Sequence, residues 1–223
     1  MRLVLREQQH IARDTYRMVF EKPEGLSFEP GQSIRVFFAD SDESRTFTIL
    51  DAPGDPVLSF AFRNTRSSFK KRLLALSAGE EIEAEGPFGE RFRLHADTEI
   101  PAVFIAGGIG ITPFYSIRRH IEQSNALYQT LLLSVNRKPC DAAFHEELEA
   151  HANTRHRFAS LFTRSYNEAG RRTPFDEAYV RSHIVSAEEA FFYVAGPPLM
   201  VAATVGILER IGVSPMRINT KKV

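Results

Sequence analysis

Residues 102–114 read AVFIAGGIGITPF. The apolar run 102–106 stops at Gly107 and Gly108. A third glycine follows at Gly110, and Thr112-Pro113 opens an amphipathic stretch over 114–121. This order predicts a buried strand, a tight turn and a helix start. Thr112 suits an N-cap, and Pro113 suits the first helical position, where its missing N–H costs nothing. Three glycines let the backbone approach a ligand. The helix N-terminus then offers unpaired N–H groups that favour phosphate or another anion.

Working outward, strands and helices alternate towards the C-terminus. LYQTLLLSVN (127–136) leads to a helix over 142–151, and RFASLFT (157–163) leads to one over 174–182. AFFYVAG (190–196) leads to one over 198–211, and MRIN (216–219) is a final strand. Such alternation predicts a doubly wound parallel sheet. Towards the N-terminus, short strand-like runs dominate: 2–12, 15–22, 33–39, 44–50, 57–63 and 80–89. Pro and Gly turn signals separate them. One helix is expected, over 67–76. Six short strands at this spacing predict a small antiparallel barrel. Residues 1–97 and 98–223 are therefore expected to form two domains, with 92–99 as the linker.

Composition narrows the function classes. The 223 residues carry 43% hydrophobic and 25% charged side chains and a formal net charge of zero. No global field attracts nucleic acid or an anionic membrane, and no apolar run is long enough to span a bilayer. The N-terminus lacks an apolar leader, so a cytoplasmic protein is expected. The lone Cys140 is incompatible with an internal disulfide framework, an iron–sulfur cluster or a Cys-rich zinc site. The seven histidines form no metal-ligand spacing and are expected at surface or capping positions, so no metal is expected.

Ligands of doubly wound sheets bind beyond the C-terminal strand ends. Four ends here carry distinctive residues: the glycine turn; Ser134 to Arg137; Thr163-Arg164 with Arg171 and Arg172 beyond; and Ala195-Gly196-Pro197-Pro198-Leu199-Met200. The common dinucleotide fingerprint has a third glycine and a later acidic residue. Here Pro113 takes the glycine's place, and the second strand ends in Asn136-Arg137-Lys138. An acid would hold a ribose diol and repel a 2′-phosphate, whereas arginine does the reverse. NADPH is therefore expected in preference to NADH.

The first half has motifs of its own. Arg45-Thr46-Phe47-Thr48 opens a strand, and Thr65-Arg66-Ser67-Ser68-Phe69 opens a helix, a second anion-friendly site. Glu85-Gly86-Pro87-Phe88-Gly89 closes the barrel. With GGIGITP and AGPPLM, these five motifs in this order resemble the ferredoxin–NADP⁺ reductase superfamily, over about residues 5–219. The resemblance implies a flavin-binding barrel joined to a NAD(P)-binding α/β domain. It implies an NAD(P)H-dependent reductase that uses bound FAD, with FMN as an alternative. Electrons would pass to a separate ferredoxin- or flavodoxin-type protein or a small acceptor.

By resemblance, Arg45 pairs with a flavin phosphate, Phe47 packs on the isoalloxazine ring and Thr48 stands near flavin N5. Ser67 and Ser68 supply the second phosphate contact, and Thr46 and Arg63 also line the flavin site. Thr112 falls at the flavin–nicotinamide junction. Gly108, Gly110, Pro113, Gly196, Pro197 and Met200 shape the nucleotide pocket. Arg137, Thr163, Arg164 and Arg171 match positions that hold the 2′-phosphate. Thr48 and Thr112 are thus the expected catalytic residues. Two departures stand out: Ala195 replaces the family's usual cysteine, and INTKKV ends without a terminal aromatic. Alternatives are a reductase using free flavin or a quinone as substrate, and a binding module that keeps the fold without turnover.

Overall fold

The computed structural model describes residues 1–89, 92–166, 170–184, 187 and 189–223. Six strands form the first sheet: β1 (Arg2–Ala12), β2 (Thr15–Glu21), β3 (Ser33–Phe37), β4 (Ser44–Thr48), β5 (Val57–Arg63) and β6 (Glu81–Phe88). Their order is β4-β3-β6-β1-β2-β5, with antiparallel pairing throughout. The sheet closes where Ile49 bridges Phe60 and Leu50 N–H donates to Ser59 O at 2.9 Å. Alternate side chains fill the interior with Leu3, Met18, Ile34, Phe47, Phe60 and Phe62. Helix α1 (Ser68–Ala75) caps one end, with Phe69 and Leu73 buried and Ser67 as its N-cap.

The second sheet holds β7 (Ala102–Gly107), β8 (Thr130–Asn136), β9 (His156–Phe162), β10 (Phe191–Gly196) and β11 (Ile218–Lys222). All pairs are parallel, in the order β11-β10-β7-β8-β9. Every residue of β7 is buried, as expected for a central strand covered on both faces. Helices α2 (Thr112–Ser124), α3 (His145–Ala150), α4 (Glu177–His183) and α5 (Pro198–Arg210) complete the alternation. The chain steps from β7 outward to β9 and returns to β10 on the other side of β7. The strand order therefore reverses between β7 and β10, the crevice where such sheets bind ligands.

Several expectations need correction. Thr112 is not an N-cap. A 3-10 turn over Gly108–Ile111 precedes α2, and the Thr112 hydroxyl donates back to Ile109 O at 3.1 Å. The turn thus uses groups that an isolated helix start leaves unpaired. The glycines mainly admit protein. A Cβ on Gly110 would stand 2.3 Å from Ala195 O, and one on Gly107 2.9 Å from Met200 Sδ. Only Gly108, at φ +54, meets nothing within 4 Å. The last strand runs to Lys222 instead of ending at Asn219, because a 3-10 turn over Pro215–Arg217 delays its start. Two histidines depart from surface positions: His156 is buried against Thr130, and the half-buried His95 packs on Phe191.

The two sheets meet through α2. Ser116 Oγ accepts the Gly31 N–H at 3.4 Å and donates to Asp51 O at 3.0 Å. Arg119 and Gln123 donate to Asp55 at 3.0 and 2.7 Å. Leu50 and Ala61 of the barrel share one apolar cluster with Phe104, Phe114 and Tyr193. Asp141 pairs with Arg13 at 2.5 Å and with Arg63 at 3.4 Å. Burial disfavours the Asp55 carboxylate, yet the Ala52 N–H, Gln123 and Arg119 outweigh it and lower its pKa.

Two outcomes follow for stability. Asp55→Ala leaves Arg119 and Gln123 without their acceptor and costs about 2–3 kcal/mol in urea denaturation at neutral pH. Because the folded pKa lies below 3.8, the carboxylate's contribution is full above that pH. It is lost as pH falls through the folded value, so the gap between variant and parent narrows there. Gly110→Ala forces a methyl into the Ala195 carbonyl and costs about 1–3 kcal/mol or more. An unchanged midpoint would contradict the packing of the two turns.

Candidate functional site

Strand β4 carries the first motif along one barrel edge. Alternation puts Thr46 on the exposed face and Arg45 and Phe47 on the other. Arg45 is half-buried, with its guanidinium 5.4 Å from the centre of the Phe69 ring. Its Nη2 donates to Glu43 Oε1 at 2.5 Å, and Ser68 Oγ donates to the other oxygen of that carboxylate at 3.1 Å. Two side chains distant in sequence thus converge on one anion. The Glu43 carboxylate marks where a phosphate would find a guanidinium, a hydroxyl and the start of α1. Lys70 lies close by. Its pKa is lowered, first by burial and then by the charge of Arg45. These residues fit a flavin phosphate.

The aromatic of the motif is largely buried. Phe47 is 8% exposed and stacks on Phe60 at 4.6 Å, inside the barrel. One face of the ring is taken by Phe60, and Phe62 packs against it at a tilt of 39°. Thr48 is buried, with Oγ1 3.5 Å from Ser33 Oγ. Arg63 points to Asp141 across the junction, while its carbonyl accepts from Lys70 Nζ at 2.7 Å.

On the parallel sheet, the glycine turn after β7 and the Gly196-Pro197 turn after β10 lie side by side, with Met200 packed on Gly107. Pro113 is buried in the first turn of α2, and Thr112 lies buried beside it. The ends of β8 and β9 are joined: Arg164 N–H donates to Arg137 O at 2.9 Å, and Thr163 Oγ1 donates to Asn136 O at 3.3 Å. Arg137, Arg164 and Arg171 are exposed around this edge. Tyr166 pairs with Arg172 across a short bridge, its ring under the Arg172 guanidinium. Asn136 is buried and donates to Ser134 Oγ at 2.9 Å, but its Oδ1 has no partner. An orphaned acceptor at a strand end suits a ribose hydroxyl or an amide N–H, so the edge fits a dinucleotide.

Sequence reading missed three contributors. Glu43 and Ser33 flank the motif without belonging to it. Lys221 belongs to no motif, yet its Nζ crosses to the barrel and donates to Gly31 O and Ser33 Oγ, both at 2.9 Å. Only the later register of β11 would have signalled it. A cleft of about 260 Å³ lined by Ala102, Thr130, Arg155 and His183 lies at the opposite ends of the parallel strands, away from all of these groups.

Comparison with known proteins agrees with this geometry. Residues 104–206 match the oxidoreductase NAD-binding domain. The reductase subunit of an aromatic O-demethylase from Amycolatopsis is 30% identical over 227 residues, covering 97% of this chain and 67% of the relative. The reductase component of propane 2-monooxygenase from Rhodococcus jostii is 27% identical, covering 88% of this chain and 55% of the relative. The chain thus spans about half to two thirds of the length of these curated relatives. The crystal structure of the Amycolatopsis cytochrome P450 reductase GcoB superposes with a TM-score of 0.85 at 27% identity, covering all of this chain and 69% of the other. A ferredoxin NADP⁺ reductase from Neisseria gonorrhoeae, crystallised with FAD and NADP, shares the fold over 100% of this chain and 98% of its own at 20% identity, with a TM-score of 0.83. With the barrel closed, the parallel sheet behind it and a relative aligned along nearly its whole length, the chain belongs to the ferredoxin–NADP⁺ reductase superfamily.

Proposed function

We propose that this chain is an NADPH-dependent reductase that holds FAD on the barrel and passes electrons to a separate acceptor. The observation that carries the reading is the convergence of Arg45 and Ser68 on one carboxylate at the barrel edge. When bound, a flavin accepts hydride from the nicotinamide and releases electrons onward, chemistry the protein itself does not supply. The chain's part is to bind and orient. Residues 1–97 hold the flavin, and Arg45, Ser67 and Ser68 anchor its phosphate. Thr48 and Thr112 face the reacting edge, with Thr46, Phe47 and Arg63 around them. Residues 98–223 hold the nucleotide between the two turns, with Gly108, Pro113, Gly196, Pro197 and Met200 shaping the crevice. Arg137, Thr163, Arg164 and Arg171 receive the 2′-phosphate.

The acceptor is inferred to be a partner protein of an oxygenase system or a ferredoxin-type carrier, since the relatives are named as the reductase subunit of an aromatic O-demethylase and the reductase component of a propane 2-monooxygenase. No helix among the described residues is long and apolar enough to cross a membrane, and a cytoplasmic setting is part of this proposal. A second reading, with flavin as exchangeable substrate, is favoured by one observation. Glu43 already sits in the anion site and would compete with a phosphate there.

Purified protein should be yellow and should bleach with NADPH in the absence of other proteins. A colourless preparation that neither FAD nor FMN reconstitutes would sink the proposal. Removing the competing charge with Glu43→Gln should tighten flavin by roughly two- to fivefold. Retention of flavin through gel filtration separates a prosthetic group from a substrate. Arg164→Ala should weaken NADPH roughly tenfold more than NADH. Equal losses for the two nucleotides would show that Arg164 does not read the 2′-phosphate.

A further inference from the structure

The C-terminal strand delivers a cation to a place no motif indicates. Lys221 pairs in register with Ala195, so the two side chains leave the sheet on one face, towards the barrel. Lys221 is half-buried, its Nζ donating to Gly31 O and Ser33 Oγ and lying 5.7 Å from the centre of the Phe92 ring. Ser33 Oγ in turn lies 3.5 Å from Thr48 Oγ1. Both hydroxyl residues are buried, at 4% and 5% exposure. The three groups form a line from the edge of the nucleotide crevice to the residue that faces the flavin.

The lysine's charge favours one direction along that line. An ammonium donates hydrogen bonds and accepts none. Ser33 Oγ therefore accepts from Lys221, and its one hydrogen stays free to turn to Thr48 Oγ1, 3.5 Å away, a direction the cation favours by polarising the Ser33 O–H. Thr48 Oγ1, already an acceptor there, is left with its hydrogen pointing away from the pair. Without the cation, the two hydroxyls can run either way. We propose that Lys221 is a positioning residue: acting through Ser33, it sets the Thr48 hydroxyl as a donor towards the N5 edge of the flavin. The inference rests on the flavin reading above and deepens it.

The charge state supports this geometry. Burial pushes the Lys221 ammonium down to about 8. The direction is thus set below that pH and released above it. Charged neighbours on the surrounding segments are already paired: Glu29 with Arg93 at 2.6 Å, Arg35 with Glu85, Arg45 with Glu43, and Arg119 with Asp55. Lys222 is exposed. Among the described residues, no carboxylate forms an ion pair with Lys221.

The test uses the full chain and FAD enriched in ¹⁵N at N5, with wild type, Lys221→Met and Ser33→Ala compared. Ser33→Ala keeps the lysine's bond to Gly31 and so preserves the contact between the sheets. Affinity comes from fluorescence titration, and the N5 resonance reports the hydrogen bond it receives. The expected result is FAD binding within about threefold in all three proteins, with N5 shifted to its non-hydrogen-bonded position in both variants. Wild type should make the same shift as pH rises through about 8, while Lys221→Met should not change. The rate of flavin reduction by NADPH at neutral pH should fall about tenfold in both variants with KM little altered. Identical N5 resonances and pH profiles in the three proteins would overturn the role of Lys221 and leave the flavin reading intact. Loss of FAD binding in folded variants would make the lysine an anchor and overturn its positioning role. A wild type that binds no FAD would overturn both.

Discussion

Helix α2 turns polar side chains towards the barrel, and the rest of the molecule depends on that contact. Its first turn closes the glycine loop after β7. One turn on, Ser116 is fully buried between the Gly31 N–H and the Asp51 carbonyl. One and two turns further, Arg119 and Gln123 reach Asp55. A single rigid element therefore both shapes the nucleotide crevice and sets its distance from the barrel. A 13-residue helix spans about 20 Å, so a tilt at the Asp55 end would move the glycine loop relative to β4. The geometry between the two halves is a property of packing, with hydrogen bonds supplying the register.

Charge is distributed to serve the same arrangement. Buried carboxylates sit on the structural side of the junction. Asp51 is held by Ser59 and Arg17, its pKa raised by burial despite those partners, and Asp55 is held by α2. Cations gather on the side proposed for ligands: Arg45 and Lys70 at the barrel edge, Lys221 at the end of β11, and Arg137 and Arg164 at the outer strands. Pairing offsets part of the cost of burying these acids and fixes geometry, whereas cations with few or movable partners favour arriving anions. Glu43 is the exception, an acid on the ligand side, which makes it the natural competitor of a phosphate.

Much of this was legible in the chain. The Pro and Gly punctuation separated six barrel strands, and the alternation after residue 100 separated five parallel ones, because period and turn chemistry are local properties. Arg45 and Ser68 were singled out by the order of the motifs, and the structure brings both to one carboxylate. The surroundings of Phe47 were not legible. Whether an aromatic on β4 faces a ligand or the barrel depends on Phe60, which lies on another strand. The glycines of the loop also deceived. Their missing side chains signal close approach, but the approaching backbone is Ala195–Gly196, contributed from more than 80 residues away.

The sequence by itself determined the two sheets, their order along the chain, the crevice between two glycine-bearing turns and the basic character of the outer strand ends. Each of these follows from residue types read within a few positions of one another. Only the tertiary structure decided what fills the loop, that Asn136 is left with an unpaired acceptor, and that Lys221 reaches Ser33. These depend on parallel register between β10 and β11 and on the docking of α2. Such long-range contacts arise from packing of the whole chain, and no local pattern encodes them.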